Sequence, residues 1–241
     1  MAWEIPRLEV IAAALLSGAL IQISQVFYFQ ALSYSEAGIV SAYWNITPTI
    51  LPIASFLLFG RFLQVRHYLG IITLILVSVG FCLADVNFKT RWKAFYLMSV
   101  ASCIQAAALL LEEHIFRHSS FFIGFLLITI GIIISGVLPL SIRSIRLSFF
   151  KSLAMMQCSA LVLFGIELLN LLALLLSQRA IALGIPALVA AVETTIPAYT
   201  FILSVVLYRF NLPLSDARVL HHFRLKLMLL GTMMAGICLV S

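Results

Sequence analysis

Charge is scarce in this sequence: Asp, Glu, Lys and Arg make up 10% of its 241 residues, against about 25% in an ordinary soluble domain. That scarcity excludes a solvated globular surface. Cysteine is equally sparse. Cys82, Cys103, Cys158 and Cys238 all fall in apolar runs with no metal-type spacing, so they read as small packing residues and not as a disulfide framework. No Gly-rich phosphate loop, nucleotide-binding pattern or Ser-His-Asp order is visible, so the chain carries no ATP engine and no cofactor is expected. The start, MAWEIPRLEV, lacks a basic n-region and a small-residue cleavage site, and no signal peptide is expected.

What the chain does have is apolar length. Hydrophobic residues are 63% of the total and the mean hydropathy is +1.14, which marks an integral membrane protein. The formal net charge of +6 is then no nucleic-acid footprint, because the basic residues sit in short connectors where they bias orientation. The apolar runs predict an all-α polytopic bundle of eight spans, at 10–32, 38–59, 68–84, 94–111, 121–142, 153–177, 180–208 and 225–240. Tight turns are expected at Ser33 to Ala37 and at Ser177 to Arg179, and one long polar loop at Phe210 to Arg224, with Pro213, Ser215 and Asp216. Snorkelling of Arg224 and Lys226 would extend the short last span. Connectors on the terminal side hold five basic residues, and the opposite ones hold ten, so the charge bias places both termini outside.

The stretch from Arg179 to Arg209 holds one ionisable side chain between its arginines, Glu193 near the midpoint, and Pro197 four residues on. A carboxyl there costs roughly 2.5 to 3.5 kcal/mol on insertion scales, so it should face the protein interior or a wet cavity. Residues 27–53 align without gaps to 174–200, which lays Pro48 on Pro197, Ala31 on Ala180 and Trp44 on Glu193; later, GFCL at 80–83 matches GICL at 236–239. Spans one to three thus correspond to spans six to eight. Five helices separate the copies, an odd number, so they cross in opposite senses, as in an inverted-topology repeat. Residues 1–85 form a first, incomplete repeat of three spans, and 94–241 a second repeat of five.

These features resemble the drug/metabolite transporter superfamily of the EamA type. The residues that carry the likeness are Ala31, Leu32 and Tyr34, then Pro48, then Gly70 and Gly80, with Ala180, Pro197 and Gly236 in the second copy. The resemblance implies a ten-helix plan of which this chain lacks the first two, cytoplasmic termini, a multi-pass place in the cell (inner) membrane, and secondary transport. Two connectors depart from the family pattern, Gly60-Arg61 and Tyr208-Arg209.

Candidate chemistry follows from polar groups in apolar runs. Glu193 and Glu167, the latter sharing a face with Asn170, have the character of proton or amine sites; a hydrogen bond that ties neighbouring helices is the plainer role. Tyr43, Trp44 and Asn45, beside Pro48, would wall a cavity for a small polar solute, and Gln22 and Gln25 form a polar stripe on span one. Glu112 lies near the end of its span, where solvation is easier. Glu112, Glu113 and Arg117 spell an E-E-x-x-x-R run like the first motif of intramembrane CAAX-type proteases, but no later span supplies the histidines that chemistry needs. His114 and His118 have helical zinc spacing without a clear third ligand. Small-residue pairs, Ala14 with Gly18 and Gly131 with Ser135, should allow close helix packing. The expected function is transport of a small metabolite or drug by alternating access, not enzymatic catalysis. The partners expected are that solute and membrane lipid, with a homodimer left open and no nucleic acid. The alternative is a non-transporting partner subunit or a remnant of a transporter.

Overall fold

The computed structural model describes residues 6–35, 37–60, 62–84, 92–155, 160–210 and 222–240. Among them every regular element is a helix: α1 (Leu8–Leu32), α2 (Ala37–Trp44), α3 (Ile46–Phe59), α4 (Val65–Leu83), α5 (Trp92–His118), α6 (Phe121–Val137) running into a 3-10 turn (Leu138–Ser141), α7 (Arg143–Met155), α8 (Ala160–Leu183), α9 (Pro186–Glu193), α10 (Ile196–Arg209) and α11 (Phe223–Val240). Helices are the expected solution for this composition, because in hydrocarbon each backbone N–H and C=O must find its partner within the segment. Among the described residues, six stretches are long and apolar enough to cross a membrane: Leu8–Leu32, Trp92–His118, Phe121–Ser141, Phe164–Leu183, Pro186–Leu203 and Phe223–Val240. The protein is an all-helical membrane protein.

Eight spans were expected, and two of them fall short of a continuous crossing. The stretch 38–59 is broken at Asn45 into helices of 8 and 14 residues. The apolar part of α4, Val65–Gly80, is shorter than a full span. The expected turn at Ser177 to Arg179 is absent, because α8 continues through it to Leu183. Polarity alone suggested a connector there, but Gln178 and Arg179 find partners on neighbouring helices: Gln178 bonds Glu112 of α5, and Arg179 lies over the Phe121 ring of α6 at 4.9 Å. The chain turns instead at Gly184, whose N–H closes on the Ala180 carbonyl at 2.8 Å, and at Ile185, held out of the helical region by Pro186 after it. Residues 143–152, expected as a connector, lie in α7 and are exposed throughout. The interior of the expected long loop, with Pro213, Ser215 and Asp216, lies outside the described residues. Lys226 does not snorkel: it is buried, with Nζ 5.5 Å from the Phe201 ring centroid.

The chain forms two compact units, Met1–Ile23 with Ala107–Ile185, and Ser24–Ala106 with Pro186–Ser241. Each unit draws on segments from both sides of residues 85–94.

In the first unit, Val10, Ala14 and Ile21 of α1 pack with Ala108 and Ile115 of α5 and Ile128 of α6. The α1 and α6 backbones touch at two glycines. A Cβ on Gly131 would sit 2.6 Å from the Leu15 carbonyl oxygen, and one on Gly18 would sit 2.8 Å from the Gly131 carbonyl carbon. The small-residue pairs thus serve the close approach the sequence suggested.

In the second unit, one core joins Ile71, Leu74 and Val77 of α4 to Ala191 of α9, Ala198 of α10 and Met233 and Val240 of α11. Helices α4 and α11 run antiparallel, since Gly70 meets Gly236 and Val240 while Gly80 meets Leu229. A second core gathers Ala31 of α1, Val40 of α2, and Ala94 and Met98 of α5, with Tyr28, Tyr43 and Trp44 packed against it. Gly60 closes α3 in the left-handed conformation, φ 63°, which glycine adopts without steric cost.

Candidate functional site

The two prolines that anchored the sequence alignment sit beside matching breaks. Helix α2 has 8 residues and α3 has 14; α9 has 8 and α10 has 14. Neither proline kinks a continuous helix. Pro197 lies at the start of α10 and Pro48 in the first turn of α3, where a missing N–H leaves no intrahelical bond unmade. The chain breaks just upstream, at Asn45 and at Thr194-Thr195, where backbone bonds tighten to a three-residue reach: Asn45 N–H to Ala42 O at 3.3 Å, Thr194 to Ala191 at 3.2 Å and Thr195 to Val192 at 3.0 Å. The residues at the breaks cap the carbonyls so released. Asn45 Nδ2 donates to Ala42 O at 3.2 Å, and the Thr194 and Thr195 hydroxyls donate to Ala191 O and Val192 O, both at 2.6 Å. Both breaks fall in the second unit, where α9 packs against α3 and α4.

Around the first break stands an aromatic group. Trp44 meets Tyr28 edge-on at 5.4 Å between ring centroids, and Tyr43 meets Phe95 at 5.3 Å. Asn45 is buried, Tyr43 and Trp44 are half-buried, and two hydroxyls, those of Tyr43 and Thr47, are buried with no hydrogen-bond partner. On the α1–α5 seam below, Ser24 donates to Gln105 Oε1 at 2.8 Å. At the second break the expected inward carboxyl is displaced: Glu193 closes α9 as an exposed residue, and Thr194 and Thr195 are the buried ones. A one-residue difference in helical phase, set by where the break falls, is enough to exchange them.

The remaining candidates scatter. Gln22 is half-buried in the first unit against Gly136, and Gln25 is half-buried in the second. Glu167 and Asn170 share a face of α8 but are exposed, as is every residue from 164 to 173. Inward placement of Glu167 was expected, and among the described residues nothing packs over that part of α8.

The first unit instead contains a polar cluster that the sequence reading discounted. Glu112 and Glu113 were expected to be solvated at the end of their span, yet they are 1% and 3% exposed. Gln178 of α8, also 1% exposed, donates from Nε2 to Glu112 Oε1 at 3.1 Å. Arg117 donates to Glu113 Oε1 at 2.8 Å from one turn on, so the E-E-x-x-x-R run is half ion pair and half interhelical amide contact. His118 Nδ1 lies 2.8 Å from the His114 carbonyl, and the two rings are 4.3 Å apart. Among the described residues no three His, Cys, Asp or Glu side chains are grouped to hold a metal. Gln178 was missed because it stood in a predicted turn.

No protein-family profile matches the chain, and no curated protein does. The backbone, however, is similar to that of a protein solved as a crystal structure, with a TM-score of 0.59 at 12% sequence identity, over 97% of this chain and 85% of that one. At that identity the likeness establishes fold alone. The class it completes is a helical membrane protein whose two broken helices, each an 8-residue piece followed by a 14-residue piece, lie in one compact unit.

Proposed function

We propose that the protein is a secondary transporter of a small polar or amphipathic metabolite or drug, working by alternating access in the cell (inner) membrane and similar to EamA-type drug/metabolite transporters. The observation that carries this reading is the pair of breaks. Transporters of this kind use discontinuous helices near the midplane because the uncoiled backbone there offers polar groups to a solute that hydrocarbon would otherwise refuse. Helices α2 and α3 count as one crossing in this reading, and α9 and α10 as another, which with α1, α4, α5, α6, α8 and α11 makes eight. The antiparallel contact of α4 with α11 is what an inverted repeat would give its two companion helices. Trp44, Tyr43, Asn45 and Gln25 form the aromatic and amide wall, and Glu193, exposed at the end of α9, is the ionisable group. Glu167, Asn170 and Gln22 stay outside that wall as secondary candidates for the solute or proton path.

A proteoliposome flux screen over amino acids, nucleobases and cationic drugs, with and without a pH gradient, tests the proposal. Movement of at least one solute class is the expected result. If no solute moves under any gradient, the second reading takes its place: a non-transporting partner subunit or remnant. One observation favours that reading, the exposed Glu167 and Asn170 on α8, since polar groups on a membrane helix ordinarily seek a protein neighbour, here a partner or a second copy of the chain.

A further inference from the structure

The contact between Gln178 and Glu112 has one polar atom too many for an ionised carboxylate. Gln178 Nε2 donates to Glu112 Oε1, while Gln178 Oε1 is buried with no hydrogen-bond partner. An amide oxygen left so costs about 1–3 kcal/mol. A carboxylate cannot relieve it, being an acceptor only, whereas a carboxylic acid can donate. Rotating the amide by half a turn gives no escape, because it sets oxygen against oxygen across the 3.1 Å contact. The amide presents a donor and an acceptor side by side, and a protonated carboxyl presents the complementary pair.

We propose that Glu112 and Gln178 form a proton-binding site, in which the Glu112 carboxylic acid donates to Gln178 Oε1 while Gln178 Nε2 donates back to Glu112 Oε1. On α5 the guanidinium of Arg117 is bonded to Glu113 Oε1 at 2.8 Å. His114 and His118, also on α5, are exposed, with His118 Nδ1 2.8 Å from the His114 carbonyl oxygen. On α8 the cation is Arg179, stacked on Phe121 of α6. Helix α6 itself carries no titratable or charged side chain, and at the start of α1 the charged groups among the described residues are Arg7, just before it, and Glu9, both exposed. The site joins α5 to α8 within one compact unit. Loss of the proton breaks one of its two bonds and leaves a buried charge, so the α5–α8 contact responds to pH. The inference is independent of Glu193 and of whether the protein transports a solute.

Infrared difference spectroscopy on the full chain in lipid nanodiscs tests it. The wild type should show a carboxylic-acid C=O band, shifted down in heavy water, that Glu112→Gln removes. Gln178→Leu should move the band to higher wavenumber by removing its acceptor. Superimposable wild-type and Glu112→Gln spectra would overturn the proposal, as would an unmoved band in folded Gln178→Leu. Should neither variant fold, carbon-13 resonances of glutamate-labelled wild type decide the matter, and the absence of any protonated glutamic acid signal overturns it.

Discussion

Gln178 and Glu112, 66 positions apart in sequence, meet at 3.1 Å with both side chains almost wholly buried. Their contact ties the last turns of α5 to the far end of α8. It exists only because α8 continues past the point where the sequence suggested a turn.

Removing one partner should therefore cost more than replacing it by an isostere. Gln178→Leu leaves a buried carboxyl without its amide donor and is expected to destabilise by about 1–3 kcal/mol. Glu112→Gln keeps an amide pair in the same space and should cost less. Thermal unfolding of the purified chain in detergent ranks the two, and equal or reversed midpoints would contradict the contact.

The glycines give a sharper contrast. Gly131→Val must force apart α1 and α6, whose backbones leave no room for a side chain, and is expected to cost about 1–3 kcal/mol or more through overpacking. Gly165, inside α8 with open space around its Cβ direction, should accept alanine with a gain of about 0.5–1 kcal/mol. A Gly131→Val variant as stable as wild type would be inconsistent with the close approach.

At the second break, the side chains and not the proline should hold the geometry. Pro197→Ala alters a first-turn position and is expected to change stability by less than about 1 kcal/mol. Thr194→Val and Thr195→Val each uncap a carbonyl and should cost about 0.5–1.5 kcal/mol. If Pro197→Ala proves the most damaging of the three, the break depends on the proline after all.

For the proposed transport, Trp44→Ala should raise the solute concentration needed for half-maximal flux, because it removes an aromatic wall. Glu193→Gln should abolish the dependence of flux on a pH gradient while leaving solute exchange intact. Flux from Glu193→Gln that still follows the pH gradient would sink the coupling role of that residue.

Composition and periodicity alone determined that this chain is helical and membrane-embedded, because 63% apolar residues in long runs admit no other economical way to satisfy the backbone. They also located the neighbourhood of both breaks, since Pro48 and Pro197 fall in the first turns of α3 and α10, although Pro52 sits inside α3 without ending it. What they could not determine was phase and length. Whether Glu193 or Thr194 points inward depends on the residue at which α9 ends, and whether Gln178 and Arg179 belong to a turn or a helix depends on Glu112 and Phe121, far away in sequence. Those outcomes rest on contacts between distant segments, which only the tertiary structure brings together.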